Sequence, residues 1–293
     1  MSEIRGEGAV HGSDEVLGAT RWVSLAVTVI LIPAFVILWW LPGRTADAWA
    51  WTIKPAMTPI FMGAGYAAGA FFFFSAFRGR RWHPASAGVL SAAIFALFML
   101  VATLIHWDRF NHGQAPFVGA FMFYGWVSVY VVSPLAIGLL WLRNQRTDPG
   151  AAAPDDPVLA PVVALAARVF GAGAAIAGVV FFAAPHLAID IWPWKLTPLT
   201  ARVIASFTIQ VGSGALLLSR DRRWSTWRLL LQTFLVAVVL MLVGSARAWA
   251  DFDQANPLTW LFVAGLAAMA AGILVLYRRM EAPRVPAAPS RTI

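Results

Sequence analysis

WPWKLTPLTAR, Trp192 to Arg202, governs the reading of this chain, because WAWTIKPAMTP, Trp49 to Pro59, is a variant of it. Each stretch holds two tryptophans one residue apart and a proline four residues after the second. Comparing the flanks at an offset of 142 to 143 residues brings further landmarks into register. Pro42 meets Pro185, RGRRW at Arg78–Trp82 meets RDRRW at Arg220–Trp224, and Trp107 and Phe110 of HWDRF meet Trp249 and Phe252 of WADF. A one-residue slip inside the second or sixth apolar run accounts for the change of offset. Landmarks in one order at a nearly constant offset point to a tandem duplication.

The composition says where such a repeat resides. The 293 residues are 60% hydrophobic and 12% charged, with a mean hydropathy of +0.71, too little polar surface for a soluble domain of this size. The absence of cysteine excludes disulfides, thiolate metal sites, iron–sulfur clusters and cysteine nucleophiles. Runs of roughly 20 apolar residues, the length that crosses a bilayer core, are read at Val23–Leu41, Pro59–Phe77, Pro84–Ile105, Phe117–Leu142, Val169–Ile189, Leu199–Ser219, Trp227–Ala246 and Pro257–Leu276. The expected fold is therefore an all-α polytopic membrane protein of eight transmembrane helices, built as two tandem four-helix repeats. Four spans per repeat is an even number, so the repeats are parallel, related about an axis near the membrane normal rather than inverted.

The net charge of +8 follows the topology. Of the 22 Lys and Arg residues, fifteen fall in tails and connections on the side of the two arginine-rich turns, six fall on the other side, and Arg168 opens the fifth span. The positive-inside rule makes the arginine-rich side cytoplasmic, with both termini there. The basic excess then contacts anionic lipid headgroups, and nucleic acid is not an expected partner. The expected location is the plasma (inner) membrane. Thr45–Ala48, TADA, resembles a small-residue cleavage site, but the first run is long and lacks a basic leader, so it is read as retained.

The domain reading follows: a mobile N-terminal tail at 1–20, its first seventeen residues above all, a first repeat at 21–143, a linker at 144–157, a second repeat at 158–279 and a mobile tail at 280–293, which holds PRVPAAPSRTI. A short surface helix is expected over Val158–Ala167.

Candidate functional residues cluster on the outer side. Trp49, Trp51, Trp107, Trp192, Trp194 and Trp249 are read first as interfacial anchors at headgroup depth, and second as the walls of an outward-facing pocket between the repeats. Thr58–Pro59 and Thr197–Pro198 read as N-cap and first-turn pairs of entering helices. Arg202, just past the second WxW, reads first as a snorkelling side chain and second as a ligand contact. His106, Asp108, His112, His186 and Asp251 form a polar outer group. It serves either as a ligand, haem or metal site, or as solvated loop residues paired locally, such as Arg247 with Asp251. No H-x-x-E-H-like spacing occurs, so no metal site and no catalytic residue is assigned. All fourteen Asp and Glu lie in connections or tails, which disfavours proton relays through the spans. Gly65 and Gly69, a GxxxG pair, predict close helix contact.

WPWKLTPLTAR, HWDRFNHG and the two RRW turns resemble tryptophan-rich polytopic membrane proteins of high-GC bacteria. The resemblance covers nearly the whole membrane portion and implies no substrate, cofactor or catalytic residue. Three functions fit, in this order: transport or binding of a small molecule in a tryptophan-lined pocket; an accessory or structural subunit packed against a membrane protein partner or a second copy; and a redox protein carrying haem or quinone on His106, His112 or His186. Enzymatic activity is not expected.

Overall fold

The structure, a computed structural model, describes residues 12–112, 116–150, 153 and 155–282. Arg5, Gly113, Arg284 and Arg291, and the outer parts of both tails, lie outside the described residues. Among the described residues eight helices are long and apolar enough to cross a bilayer, as a multi-pass integral membrane protein requires, and pairing of extended backbone is limited to three isolated bridges.

Helix α1 (Gly18–Phe35) continues through a π-helical turn at Val36–Trp40. Leu41 then leaves the helical region, because Pro42 has no N–H to continue the ladder. A single short turn, α2 (Thr45–Ala48), leads into the first WxW. Helices α3 (Met57–Arg78), α4 (His83–Ile105) and α5 (Phe117–Asn144) complete the first half. The second half holds α6 (Pro161–Ala183), the short α7 (Pro185–Ile191), α8 (Pro198–Leu218), α9 (Trp224–Arg247) and α10 (Pro257–Glu281).

Three local expectations need correction. No separate surface helix covers Val158–Ala167: Val158 bridges to Arg223, and α6 runs unbroken from Pro161, so the fifth span lies eight residues earlier than hydropathy placed its start. It stops before Pro185, for the reason that ends α1 before Pro42. Thr197 caps α8 as expected, in a reciprocal capping box with Thr200. Thr58, however, lies inside α3, and its hydroxyl is spent elsewhere. Residues expected in a mobile tail are held from Asp14 to Leu17. Asp14 N–H donates to Thr147 O, and Leu17 N–H donates to Oδ1 of the fully buried Asn144.

The halves interlock through their middle helices. Helix α3 packs along α9 and α4 along α8, with α4 also against α9, so α3, α4, α8 and α9 form a central bundle. Outside it, α1 lies on α3, α5 on α4, α6 on α8 and α10 on α9. Within a bilayer, burial of apolar surface does not drive such contacts, so small residues decide how closely backbones approach. Helices α6 and α8 approach closely. A Cβ on Gly171 would sit 2.8 Å from Leu216 N and 2.9 Å from Gly212 O, and one on Gly212 would collide with the backbone of Ala175. Gly65 and Gly69 meet side chains instead, the Phe207 ring of α8 and Leu31 of α1.

Candidate functional site

At the end of the bundle that carries both WxW segments, the extended backbone turns both tryptophans of a pair to one face, the period-two geometry of a strand. Each segment is clasped by the 3₁₀ turn of its own half. Asn111 N–H donates to Ala50 O (2.9 Å) and Asp253 N–H to Pro193 O (2.8 Å), the same bond at corresponding places. The inward face is therefore protein rather than headgroup. Trp49, Trp51 and Trp194 are each 2% exposed, which corrects their reading as interfacial anchors. Trp107 is largely exposed, against the His112 and Phe123 rings, and Trp249 stacks on Phe252 at 5.3 Å.

The two aromatic clusters have the same plan. Trp126 of α5 lies 4.7 Å from Trp51, 5.8 Å from Trp49 and 6.2 Å from Phe110. Phe262 of α10 lies 5.4 Å from Trp194, 6.5 Å from Trp192 and 6.2 Å from Phe252. Their polar satisfaction differs. Trp49 and Trp192 Nε1 are both buried without a partner among the described residues, whereas at the second tryptophan of each pair Trp194 Nε1 donates to Thr58 Oγ1 of the other half (2.9 Å) and Trp51 Nε1 has no partner.

The polar outer residues do not assemble into one site. Arg202 joins the halves: its Nη1 donates to His106 Nε2 (2.8 Å) and its Nε to Phe182 O (3.1 Å), one of the carbonyls left open at the end of α6. It is engaged at both ends rather than snorkelling freely. Burial, followed by the neighbouring Arg202 charge, lowers the His106 pKa below the ordinary histidine value. Asp108 pairs with Arg109 in solvent (3.4 Å), and His186 is exposed. Asp251 accepts from Met57 N–H at the start of α3 (2.8 Å). Arg247, expected to pair with Asp251, lies 4.3 Å over the Trp39 ring and donates to Trp39 O. Among the described residues no three His, Cys, Asp or Glu side chains group as a metal ion requires.

A cavity of about 430 Å³ lies beside α9, walled by α3, α4, α6, α8 and α10. Of the tryptophans singled out from sequence, Trp192 alone is on its lining. Phe170 of α6 and Leu261 of α10 line it and are exposed, so it reaches the protein surface between those helices. Three positions on its lining can be set against the first half. The matched contacts of Trp126 and Phe262 set α5 against α10 at a spacing of 136 residues, while α4 and α9 align at 142. By those spacings Phe95, Trp126 and Tyr130 correspond to Ala237, Phe262 and Leu266. The first three pack together in the first half's core, with Trp126 and Tyr130 rings 4.5 Å apart and Phe95 and Tyr130 6.1 Å apart. The second three are smaller, and all line the cavity.

The polar side chains on the lining are Ser91, Thr208, Gln210 and Thr233, beside Trp192, whose Nε1 is buried without a partner among the described residues. The three hydroxyls donate to carbonyls of their own helices. The Gln210 amide has no partner among the described residues. It stands twelve residues into α8, about 18 Å along the helix axis at 1.5 Å per residue.

Sequence reasoning missed a second polar assembly, at the arginine-turn end. Asp14 accepts from the N–H groups of Trp82 and His83 at the start of α4, and Asp156 from Ser225 N–H at the start of α9. The signal was present as DEVL at 14–17 and DPVL at 156–159, 142 residues apart like His83 and Ser225. Compared with family models, curated protein sequences and solved structures, the chain finds no match.

Proposed function

We propose that the chain is a duplicated membrane protein whose second half holds a lipid-soluble molecule, an isoprenoid or acyl chain bearing one carbonyl or hydroxyl group. The observation that carries this reading is the paired replacement of Phe95, Trp126 and Tyr130 by Ala237, Phe262 and Leu266. It leaves the core of one half filled and opens a 430 Å³ apolar space in the other. An unfilled apolar space costs packing energy in proportion to its volume, and a chain from the surrounding bilayer offsets that cost. Gln210 is the group that orients the guest, because a partnerless amide at mid-helix gains most from a hydrogen bond where water is excluded. Access is lateral, between α6 and α10.

The duplication is read as two parallel four-helix halves with the arginine-rich turns and both termini on the cytoplasmic side. It is supported by the matched WxW clasps, the reciprocal α3–α9 and α4–α8 packing and the two Asp-capped helix starts. Transport would follow if the guest also left toward one face.

Native mass spectrometry of protein released from lipid nanodiscs tests the binding reading. Wild type is expected to retain one lipid-mass adduct. Ala237→Phe, which restores the first-half residue, is expected to lose the adduct while remaining folded. Equal retention by the filled variant, or no adduct on wild type, would remove the cavity as the site.

A further inference from the structure

Four side chains form an unbroken chain across the two halves at the arginine-turn end. Asp14 Oδ2 is 2.6 Å from His83 Nδ1, His83 Nε2 is 2.7 Å from Ser225 Oγ, and Ser225 Oγ meets Asp156 Oδ2 within hydrogen-bonding distance. The His83 side chain is 5% exposed and that of Asp14 14%. The segment before α1 supplies Asp14, and the linker between the halves supplies Asp156, so the chain ties both connections to α4 and α9 at once.

Counting hydrogens identifies the ligand. Three contacts need three hydrogens, one for each. A neutral imidazole brings one and the serine hydroxyl another, while two ionised carboxylates bring none. With only two hydrogens one contact has none: either Ser225 must donate to both His83 and Asp156 with a single O–H, or His83 Nδ1 faces Asp14 without a hydrogen between them. One added proton resolves the conflict: His83 donates from Nδ1 to Asp14 and from Nε2 to Ser225, which donates to Asp156. Imidazole is a stronger base than a carboxylate, so the proton belongs on the ring.

The electrostatics agree. Helices α4 and α9 both begin here, and each N-terminus carries roughly half a positive charge. Two carboxylates, one imidazolium and two helix N-termini sum to near zero, whereas the array without its proton leaves an excess negative charge in a partly buried place. Asp148, Asp221, Arg220, Arg222 and Arg223 line a cavity of about 590 Å³ together with His83, and Glu15, bridged to Arg81, and Asp155 flank Asp14 and Asp156. Asp148 and Asp221 are both engaged by Arg223, at 3.1 Å and 2.6 Å. Burial alone would raise these two carboxyls, but the hydrogen bonds from Arg223 hold both below the ordinary range. They therefore do not compete for the proton. The cavity gives it a path to water.

We infer that Asp14, His83, Ser225 and Asp156 form a proton-binding site that clasps the two halves together. The bound proton is a structural ligand. Its release leaves one of the three bonds unmade and loosens the contact between α4 and α9.

Carboxylate-to-amide variants supply the missing hydrogen covalently and so mimic the loaded site. Protein labelled with ¹⁵N-histidine and ¹³C-aspartate, in nanodiscs at neutral pH, is read by NMR, with His83→Gln identifying the His83 signals. Both ring nitrogens of His83 are expected to carry hydrogen in wild type. In Asp156→Asn the ring becomes neutral with its hydrogen on Nδ1, and in Asp14→Asn neutral with its hydrogen on Nε2. If one variant fails to fold, the opposite tautomer in the other carries the test. A neutral wild-type His83 beside an ionised Asp156, or a ring state unchanged in both amide variants, would overturn the proposal.

Discussion

Thr58 and Arg202 show how much a single side chain carries where the two halves meet. Thr58 is the buried acceptor for the Trp194 indole, so Thr58→Val leaves that N–H unpaired at a cost of about 1–3 kcal/mol. Trp51 has no such partner, and Trp51→Phe is expected to cost less than Trp194→Phe in thermal or denaturant unfolding. Arg202 makes His106 an acceptor, which the ring can be only while Nε2 is unprotonated. The folded-state pKa of His106 is lowered, so its contribution to stability is fully present above the ordinary histidine range. That contribution is lost as pH falls through the lowered value. Arg202→Gln is expected to move the His106 titration back toward the free value, as followed by NMR. Neither role was legible from the residues themselves. Thr58 resembled a helix cap, and Arg202 could not be matched to His106 because they stand 96 residues apart in different halves.

At the level of elements, hydropathy located seven of the spans to within five residues at their starts, because runs of this length and polarity have one destination. The fifth was displaced by a punctuation mark it overlooked: Pro185 stops α6, and the apolar residues beyond it belong to α7. Glycine spacing was a poorer guide than glycine environment. Gly212 and Gly214 stand two residues apart on α8, yet a Cβ on Gly212 strikes the Ala175 backbone while one on Gly214 meets Leu230 and Ser91 at 3.5 Å or more. Gly212→Ala is expected to destabilise by about 1–3 kcal/mol through overpacking, and Gly214→Ala to be tolerated. Equal effects would contradict the close α6–α8 approach. On the same helix, Gln210→Leu is expected to weaken guest binding about tenfold, the equivalent of roughly 1.4 kcal/mol, without lowering stability. Native mass spectrometry across a lipid titration would measure it.

For the whole molecule, the duplication proposed above would account both for what repeats and for what does not. The WxW clasps, the Asp-capped starts of α4 and α9 and the cross-packing of the middle helices recur in both halves. The aromatic core of the first half and the cavity of the second are where the two halves differ. The repeated landmarks could be read from sequence because tryptophan, proline and arginine are conspicuous. The cavity could not, because it arises from what is missing at Ala237, Phe262 and Leu266. The proton-binding array was hidden for a different reason. Its His83 and Ser225 follow the two arginine-rich turns, whose charges already had an explanation in topology.

In the proposed arrangement two four-span halves face the same way, with the WxW ends outside and the arginine turns inside. The chain has no cysteine, so single cysteines report location without background. Thr52 and Lys195 are exposed at corresponding places beside the two WxW pairs, and Arg80 and Arg222 are exposed in the two arginine turns. In intact cells a membrane-impermeant maleimide is expected to label Thr52→Cys and Lys195→Cys alike, and to reach Arg80→Cys and Arg222→Cys only after permeabilisation. Labelling of Thr52→Cys and Lys195→Cys from opposite sides would contradict the parallel duplication.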